Sequence, residues 1–283
     1  MIDLHSHTTA SDGEHAPEAL LALARAAGVT VLAVTDHDTV AGLARAETAA
    51  RAEGLGFVPG IEISASAGGL EVHVLGHFVD RSEAGLASYS DRLRGERARR
   101  MARMVERMTE LGFPVSLEEV EHIGGGAHLG RPHLALALLN RGYVSSTKEA
   151  FDRFLADGRP GYVGRFRLPA EEAVQLVHRA GGTATLAHPG PSRVAAPTLE
   201  ALARAGLDGL EVFHLDHVPS QREAFARTAE ALGLIPTGGS DFHGARVSPG
   251  RKLGGSGTPP DAFRRLVDRA GVHARAAGRG LSL

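Results

Sequence analysis

Short apolar runs alternate along this chain with alanine- and leucine-rich runs, and most of the apolar runs lead into histidine, aspartate or glutamate. The strand candidates are MIDLHSH, VTVLAVTDH, GFVPGIEIS, EVHVLGHFV, TATLAHP, DGLEVFH and GLIPTGGSDFH. Between them lie runs such as PEALLALARAAG and PAEEAVQLVHRAGG, whose apolar residues recur at helical spacing. The first starts at Pro17, which suits an opening helical turn, and stops at Gly28, which suits a helix end. Strand-then-helix repetition with apolar strands argues for a parallel sheet covered by helices. Seven strands suit a closed or nearly closed barrel, with an open doubly wound sheet as the alternative. In an α/β barrel the chemistry gathers at the carboxyl ends of the strands. The polar strand ends, His5 and His7, Asp36 and His37, Glu62, His188, Asp241 and His243, are therefore expected on one rim.

Between roughly residues 85 and 165 the alternation breaks, and SYSDRLRGERARRMARMVERMTELGF reads as one long helix. Its Met101, Met104, Val105, Met108 and Leu111 follow helical spacing and are expected to face a core. RPHLALALLNRGY and STKEAFDRFLADG read as two more helices, before the turn DGRPG. The expected organisation is a barrel from residues 1–84 and 166–283 with a helical insert at 85–165. GGGAHLG is glycine-rich but follows no strand in a nucleotide-binding pattern, and reads as a flexible loop.

Composition narrows the chemistry. The 283 residues include no cysteine, so disulfides, thiolate metal sites and a cysteine nucleophile are excluded. Any metal must be held by histidine or carboxylate. Basic and acidic residues nearly cancel, 31 against 33, which does not suit a nucleic-acid coat or duplex DNA binding. No apolar run reaches the roughly 20 residues that cross a bilayer. With no basic-then-apolar leader at the start, a soluble cytoplasmic protein without an obligate protein partner is expected. Fifteen histidines remain to be explained.

Alternate side chains of a strand share a face, so His5 and His7 point the same way, inward if Leu4 and Ser6 face the helices. Two inward imidazoles repel when protonated and need partners when neutral; a shared metal meets both needs. Asp12 follows in a loop, where an ordinary turn role is the alternative. His37 ends an apolar strand, and Asp38 suits capping of the next helix. Glu62 between two isoleucines needs a cation or a proton if buried. His73 shares a face with Leu75, while Gly76 could mark a bulge that turns His77 away. His188, Asp241 and His243 end two later strands. Singly each is ordinary; together the six histidines, two aspartates and one glutamate point to a metal cluster. His15, His122, His128, His178, His214, His217 and His273 read as surface or local hydrogen-bonding groups.

The motifs HSHTTASDG, VTDHDT, GIEIS, EVHVLGH, AHPG and GSDFH, in that order over nearly the full chain, resemble the PHP (polymerase and histidinol phosphatase) family. The resemblance implies an α/β fold, a distorted seven-stranded barrel with nine ligands for three divalent metals. One metal would take His5, His7, Glu62 and Asp241; a second Asp12, His37 and His243; the third His73 and His188, sharing Glu62. Manganese is favoured, with iron or zinc as alternatives. ERARRM, GRPHLA, FLADGRPGYV and GRKLG resemble the subfamily that removes the 3′-phosphate of nucleoside 3′,5′-bisphosphates and trims short 5′-phosphorylated RNA from the 5′ end. By that similarity Arg97, Arg100, Arg131 and His133 would line the phosphate side of the cleft, and the insert would cover the active site. Most arginines of the long helix otherwise read as a solvated face.

The expected mechanism is attack on phosphorus by a metal-bridging hydroxide held by Glu62, Asp241 and His37, with His133 or a metal-bound water as leaving-group acid. Two rival readings are a histidinol-phosphate or other small-molecule phosphomonoesterase, and a non-catalytic metal-binding regulatory module. The first would want extra carboxylates around an amine rather than basic insert residues. The second usually loses ligands, and none is missing here.

Overall fold

The computed structural model describes residues 1–124 and 130–281, so His128 and most of the glycine-rich loop lie outside the described residues. The chain forms two compact units: Met1–Tyr89 with Arg167–Leu283, and Ser90–Phe166.

In the first unit, β1 (Ile2–Asp3), α1 (Pro17–Ala26), β2 (Val31–Val34), α2 (Leu43–Glu53), β3 (Gly56–Ala67) and β4 (Leu70–His77) lead into α3 (Ala84–Glu110). The second unit holds most of α3, then α4 (Leu117–Gly124), α5 (Arg131–Asn140) and α6 (Thr147–Ala150), which runs on as a π-helical turn (Phe151–Leu155). The chain then completes the first unit with β5 (Leu168–Pro169), α7 (Ala170–Arg179), β6 (Thr183–Leu186), α8 (Ala196–Arg204), β7 (Gly209–Phe213), α9 (Pro219–Leu232), β8 (Ile235–Gly238) and α10 (Pro260–Ala276). Every expected strand is present, β5 adds a short strand on β3, and α4 adds a helix the sequence reading did not separate.

The strands pair in the order β1-β2-β3-β4-β6-β7-β8. The far edge returns to the first strand: the Asp241 amide donates to the His5 carbonyl (2.9 Å) and the His7 amide to that of Phe242 (3.0 Å). The result is a nearly closed seven-stranded α/β barrel, as the resemblance implied. The all-parallel expectation fails at one strand, because β4 is antiparallel to both β3 and β6. Gly68 and Gly69, both at positive φ, turn β3 straight back into β4 with no room for a crossover helix.

Periodicity explains which faces are covered. Leu4 packs with Ala33, Val58 and Ile235 against Ala262, Leu266 and Ala270 of α10, so its neighbours His5 and Asp3 point the other way. On α7 the buried Ala170, Ala173, Val174 and Val177 form one stripe, with Glu171 and Glu172 in the first turn and His178 and Arg179 in the last. Gly76 gives α7 room to pack on the sheet: a Cβ there would lie 2.8 Å from a Val177 methyl. The β3–β4 register runs unbroken through Gly76, so the expected bulge is absent.

In the second unit Met101, Met104, Val105 and Met108 pack with Leu134, Leu138, Phe154 and Leu155. Leu111 does not join them; α3 ends at Glu110 and the side chain is 39% exposed. No helix among the described residues is long and apolar enough to cross a membrane.

Candidate metal centre

Glu62 lies at the middle of the cluster, wholly buried on β3. Its two oxygens face different partners. Oε2 lies 3.1 Å from Nε2 of both His5 and His7, and 3.3 Å from Nδ1 of His37. Oε1 lies 2.7 Å from His73 Nδ1 and 3.1 Å from His188 Nε2. A carboxylate divided this way can bridge two cations.

Around it, ligand atoms of His5, His7, Glu62 and Asp241 all fall within 4.8 Å of one another. The same spacing joins His7, Asp12, His37 and His243, and also His37, Glu62 and His73. The structure therefore brings all nine expected residues together, with His188 joined through Glu62. Asp12 is the most open of them, 55% exposed, and lies 3.4 Å from His243 Nε2.

Local structure is shaped to deliver these groups. Asp36 accepts from the Thr8 amide and hydroxyl (both 2.7 Å) and from the Ser11 hydroxyl (2.7 Å), fixing the loop that carries Asp12. His188 and Asp241 both adopt positive φ, 24° and 50°, unusual for residues with a Cβ and costing about 1–3 kcal/mol each. Gly239 packs directly on His5, since a Cβ there would lie 2.3 Å from the His5 Cβ.

The electrostatics call for cations. Burial disfavours charge on His7, but the nearby carboxylates of Asp241 and Glu62 outweigh it and raise its pKa to about 9. Burial works the same way on His73, against Glu62 and Glu71, and that imidazole rises to about 10. Burial pushes Glu62 up, yet His37, His5 and His73 hold it well below the usual carboxylate range. Without metal, protons on imidazoles balance the buried carboxylates.

The residues fit divalent metals on direct grounds. Both ring nitrogens of His7, Nδ1 of His37 and Nε2 of His214 are buried and aligned with no hydrogen-bond partner. Such unpartnered ring nitrogens, converging on carboxylates, are what a metal shell satisfies.

Two residues of the neighbourhood escaped the sequence reading. Glu211 is buried and faces inward on β7, accepting from the His188 amide through Oε2 (2.8 Å) with Oε1 3.0 Å from His5 Nδ1. His5, burial aside, is what holds Glu211 down at about 2. The β alternation of DGLEVFH, with Leu210 and Val212 outward, carried the signal. His214, read as a surface or local hydrogen-bonding group, does bond locally, its Nδ1 accepting from the Asp216 amide (3.2 Å), but it is fully buried at the end of that strand with its Nε2 3.4 Å from Asp241 Oδ2. His217 is buried too, with Nδ1 2.9 Å from the Val212 carbonyl.

Other expectations change as well. Asp38 does not cap α2, whose N-terminus has no side-chain cap. Its carboxylate accepts instead from the Ser64 amide (2.8 Å) and hydroxyl (2.9 Å) and from Tyr89 Oη (2.6 Å). His77 is buried, with Nε2 2.9 Å from the Leu4 carbonyl. His122 is exposed, and His15 stacks on Phe242.

Within the second unit, Arg100 and Arg131 flank the Tyr162 ring at 5.6 and 5.5 Å. Arg100 is buried; its Nε donates to the Val163 carbonyl (2.7 Å) while its Nη2 has no hydrogen-bond partner. Burial first, then the neighbouring Arg165 and Arg131, lower its pKa. Arg131 also pairs with Asp157 (2.6 Å). His133 serves locally, Nδ1 accepting from the Gly130 amide (3.1 Å) at the start of α5, and Arg97 is partly buried on α3.

Residues 3–86 match the family model described as PHP domain. The chain is 36% identical to the 5′-3′ exoribonuclease Rnm of Escherichia coli (strain K12), over 89% of this chain and 88% of that protein. It is 34% identical to the 3′,5′-nucleoside bisphosphate phosphatase of Chromobacterium violaceum, covering 94% of each. A solved structure from Bifidobacterium adolescentis, described as a metal-dependent phosphoesterase, superposes with a TM-score of 0.76 at 35% identity, covering 94% of this chain and 95% of that one.

Proposed function

The chain belongs to the PHP family, and on that premise we propose that it is a metal-dependent phosphoesterase removing the 3′-phosphate of nucleoside 3′,5′-bisphosphates, such as adenosine 3′,5′-bisphosphate to AMP. Trimming of short 5′-phosphorylated RNA from the 5′ end is part of the same proposal, since both substrates present a nucleotide with phosphates on either side of its ribose. The observation that carries the reading is the convergence at one rim of the barrel of imidazoles, several with buried nitrogens that have no hydrogen-bond partner, on the carboxylates of Asp12, Glu62 and Asp241.

His5, His7, Glu62 and Asp241 would hold one divalent ion, Asp12, His37 and His243 a second, and His73 with His188 a third, Glu62 being shared. Manganese is the favoured ion, with iron or zinc as alternatives. Bound there, such ions supply Lewis acidity toward phosphate oxygens and lower the pKa of water. The protein's own contribution begins with Glu62 and His37, each common to two of the ligand sets, and with Asp241 in the set beside them; together they would position the attacking oxygen. Glu211 orients His5, as outer carboxylates commonly orient metal-binding imidazoles. Arg100 and Arg131 are assigned to phosphate oxygens, for which forked guanidinium donors are suited. The unpaired Nη2 of Arg100 supports that role. His133 has its Nδ1 engaged, which leaves Nε2 as the atom able to meet a leaving group. The cytoplasm, where nucleotides and RNA ends occur, is the proposed place of action.

Histidinol phosphate, the rival substrate, carries a cationic amine that calls for carboxylates, whereas the second unit gathers the guanidinium groups of Arg100, Arg131 and Arg165. Phosphate release from adenosine 3′,5′-bisphosphate and from histidinol phosphate, measured on one metal-loaded sample, tests the proposal. AMP and inorganic phosphate from the first, with little turnover of the second, is expected. Preference for histidinol phosphate, or release of the 5′-phosphate, would overturn it.

A further inference from the structure

Away from the rim that carries the cluster, three residues from separate elements converge on one point. His178 stands in the last turn of α7, Asp208 directly before β7, and His273 in the last turn of α10. A ligand atom from each lies within 4.8 Å of the other two. Asp208 precedes Glu211 by three residues, roughly 10 Å of strand, which places it at the opposite, amino-terminal end of β7.

Asp208 is 1% exposed, and its oxygens are shared out. Oδ2 accepts from the Ala184 amide (2.9 Å) and faces His178 Nε2 at 2.8 Å. Oδ1 faces His273 Nε2 and Arg269 Nη1, both at 3.0 Å. The two imidazoles stack in parallel, centroids 3.9 Å apart and planes at 18°. Their edges therefore present both Nε2 atoms to one carboxylate, while the rings keep 23% and 19% exposure. Both histidines sit at helix C-termini, whose partial negative charge favours a cation.

We propose that His178, Asp208 and His273 form a second, separate site for one divalent transition ion of the zinc class. Two imidazoles and a carboxylate are a donor set such ions accept, with remaining positions open to water. Binding uses neutral imidazoles with the proton on Nδ1, the tautomer that leaves both Nε2 atoms free to face the ion. The rings splay slightly from their stack, and Arg269, 44% exposed, turns to solvent. The ion then clasps α7, α10 and the start of β7, a role that is structural and independent of phosphate chemistry.

The test compares the full-length protein with the His178→Gln/His273→Gln variant. Both are dialysed against the same buffer containing manganese and micromolar zinc. Total metal per chain by elemental mass spectrometry, thermal unfolding and phosphate release are read on each sample. The variant is expected to hold one equivalent less metal and to lose the zinc-dependent rise in unfolding temperature, with phosphate release within about two-fold of the parent. Equal metal content in both proteins overturns the site. Joint loss of metal and activity also overturns it, since the missing ion then belongs to the rim cluster. The single variant His273→Gln carries the same comparison where the double variant does not fold.

Discussion

Glu211 shows how much a single side chain outside the ligand set can control. It holds His5 Nδ1 at 3.0 Å, so that Nε2 faces Glu62. Glu211→Gln keeps the shape but removes the charge that would make His5 a strong ligand. Metal affinity or activity should fall by about 10–100-fold with little change in the substrate KM; wild-type activity would show that His5 needs no such support. His77 offers a test on stability instead. Burial, the largest influence, lowers its pKa from 6.5 to about 4, against the opposing pull of the Leu4 carbonyl. The folded state thus disfavours the charged ring. As pH falls below 6.5 the unfolded chain takes up the proton first, so stability drops between about pH 6.5 and 4, by on the order of 3 kcal/mol in all. Denaturant unfolding across that range should show a shallower pH slope for His77→Gln than for the parent. At this scale strand parity made His5 and His7 legible, because Leu4 belongs to the opposite face. Glu211 was equally legible by parity, but it lies inside its strand, and attention to strand ends passes over it. His214 could not be told from a surface histidine, since its burial depends on the loops around it.

Arg131 acts through an element rather than alone. It opens α5, pairs with Asp157 beyond the π-helical turn and shares the Tyr162 ring with Arg100. If this guanidinium pair receives phosphate, Arg131→Ala should raise the KM for adenosine 3′,5′-bisphosphate by about 10–100-fold, the loss of one charge-assisted contact, with kcat less affected. An unchanged KM would remove it from the binding role. Elements were largely readable because each strand and helix advertises its own period. The antiparallel course of β4 was legible as well, since the Gly68-Gly69 pair between two apolar runs is a hairpin signal, but the strand-then-helix rhythm around it argues for a parallel sheet and masks it. Leu111 failed for a related reason: helical spacing predicts a face only while the helix lasts, and α3 stops one residue earlier.

Across the whole molecule the sheet closes on itself, and that closure is what turns residues as far apart as His5 and Asp241 into neighbours. The same assembly sets how it takes up metal. With His7 raised to about 9 and His73 to about 10, metal binding at neutral pH must displace protons. Apparent affinity should therefore rise with pH up to about 9–10. Calorimetry in buffers of different ionisation enthalpy should show proton release, and a buffer-independent heat would contradict it. The central claim, that the converging rim groups work through bound divalent ions, is tested most directly by stripping the protein of metal and restoring manganese in steps. Bound metal and phosphate release from adenosine 3′,5′-bisphosphate should be followed on the same samples, for the parent and for Glu62→Gln. The account predicts no release from stripped protein, recovery in step with metal bound, and a loss greater than about 100-fold in Glu62→Gln at saturating manganese. Full activity from metal-free protein, or from Glu62→Gln, would contradict it.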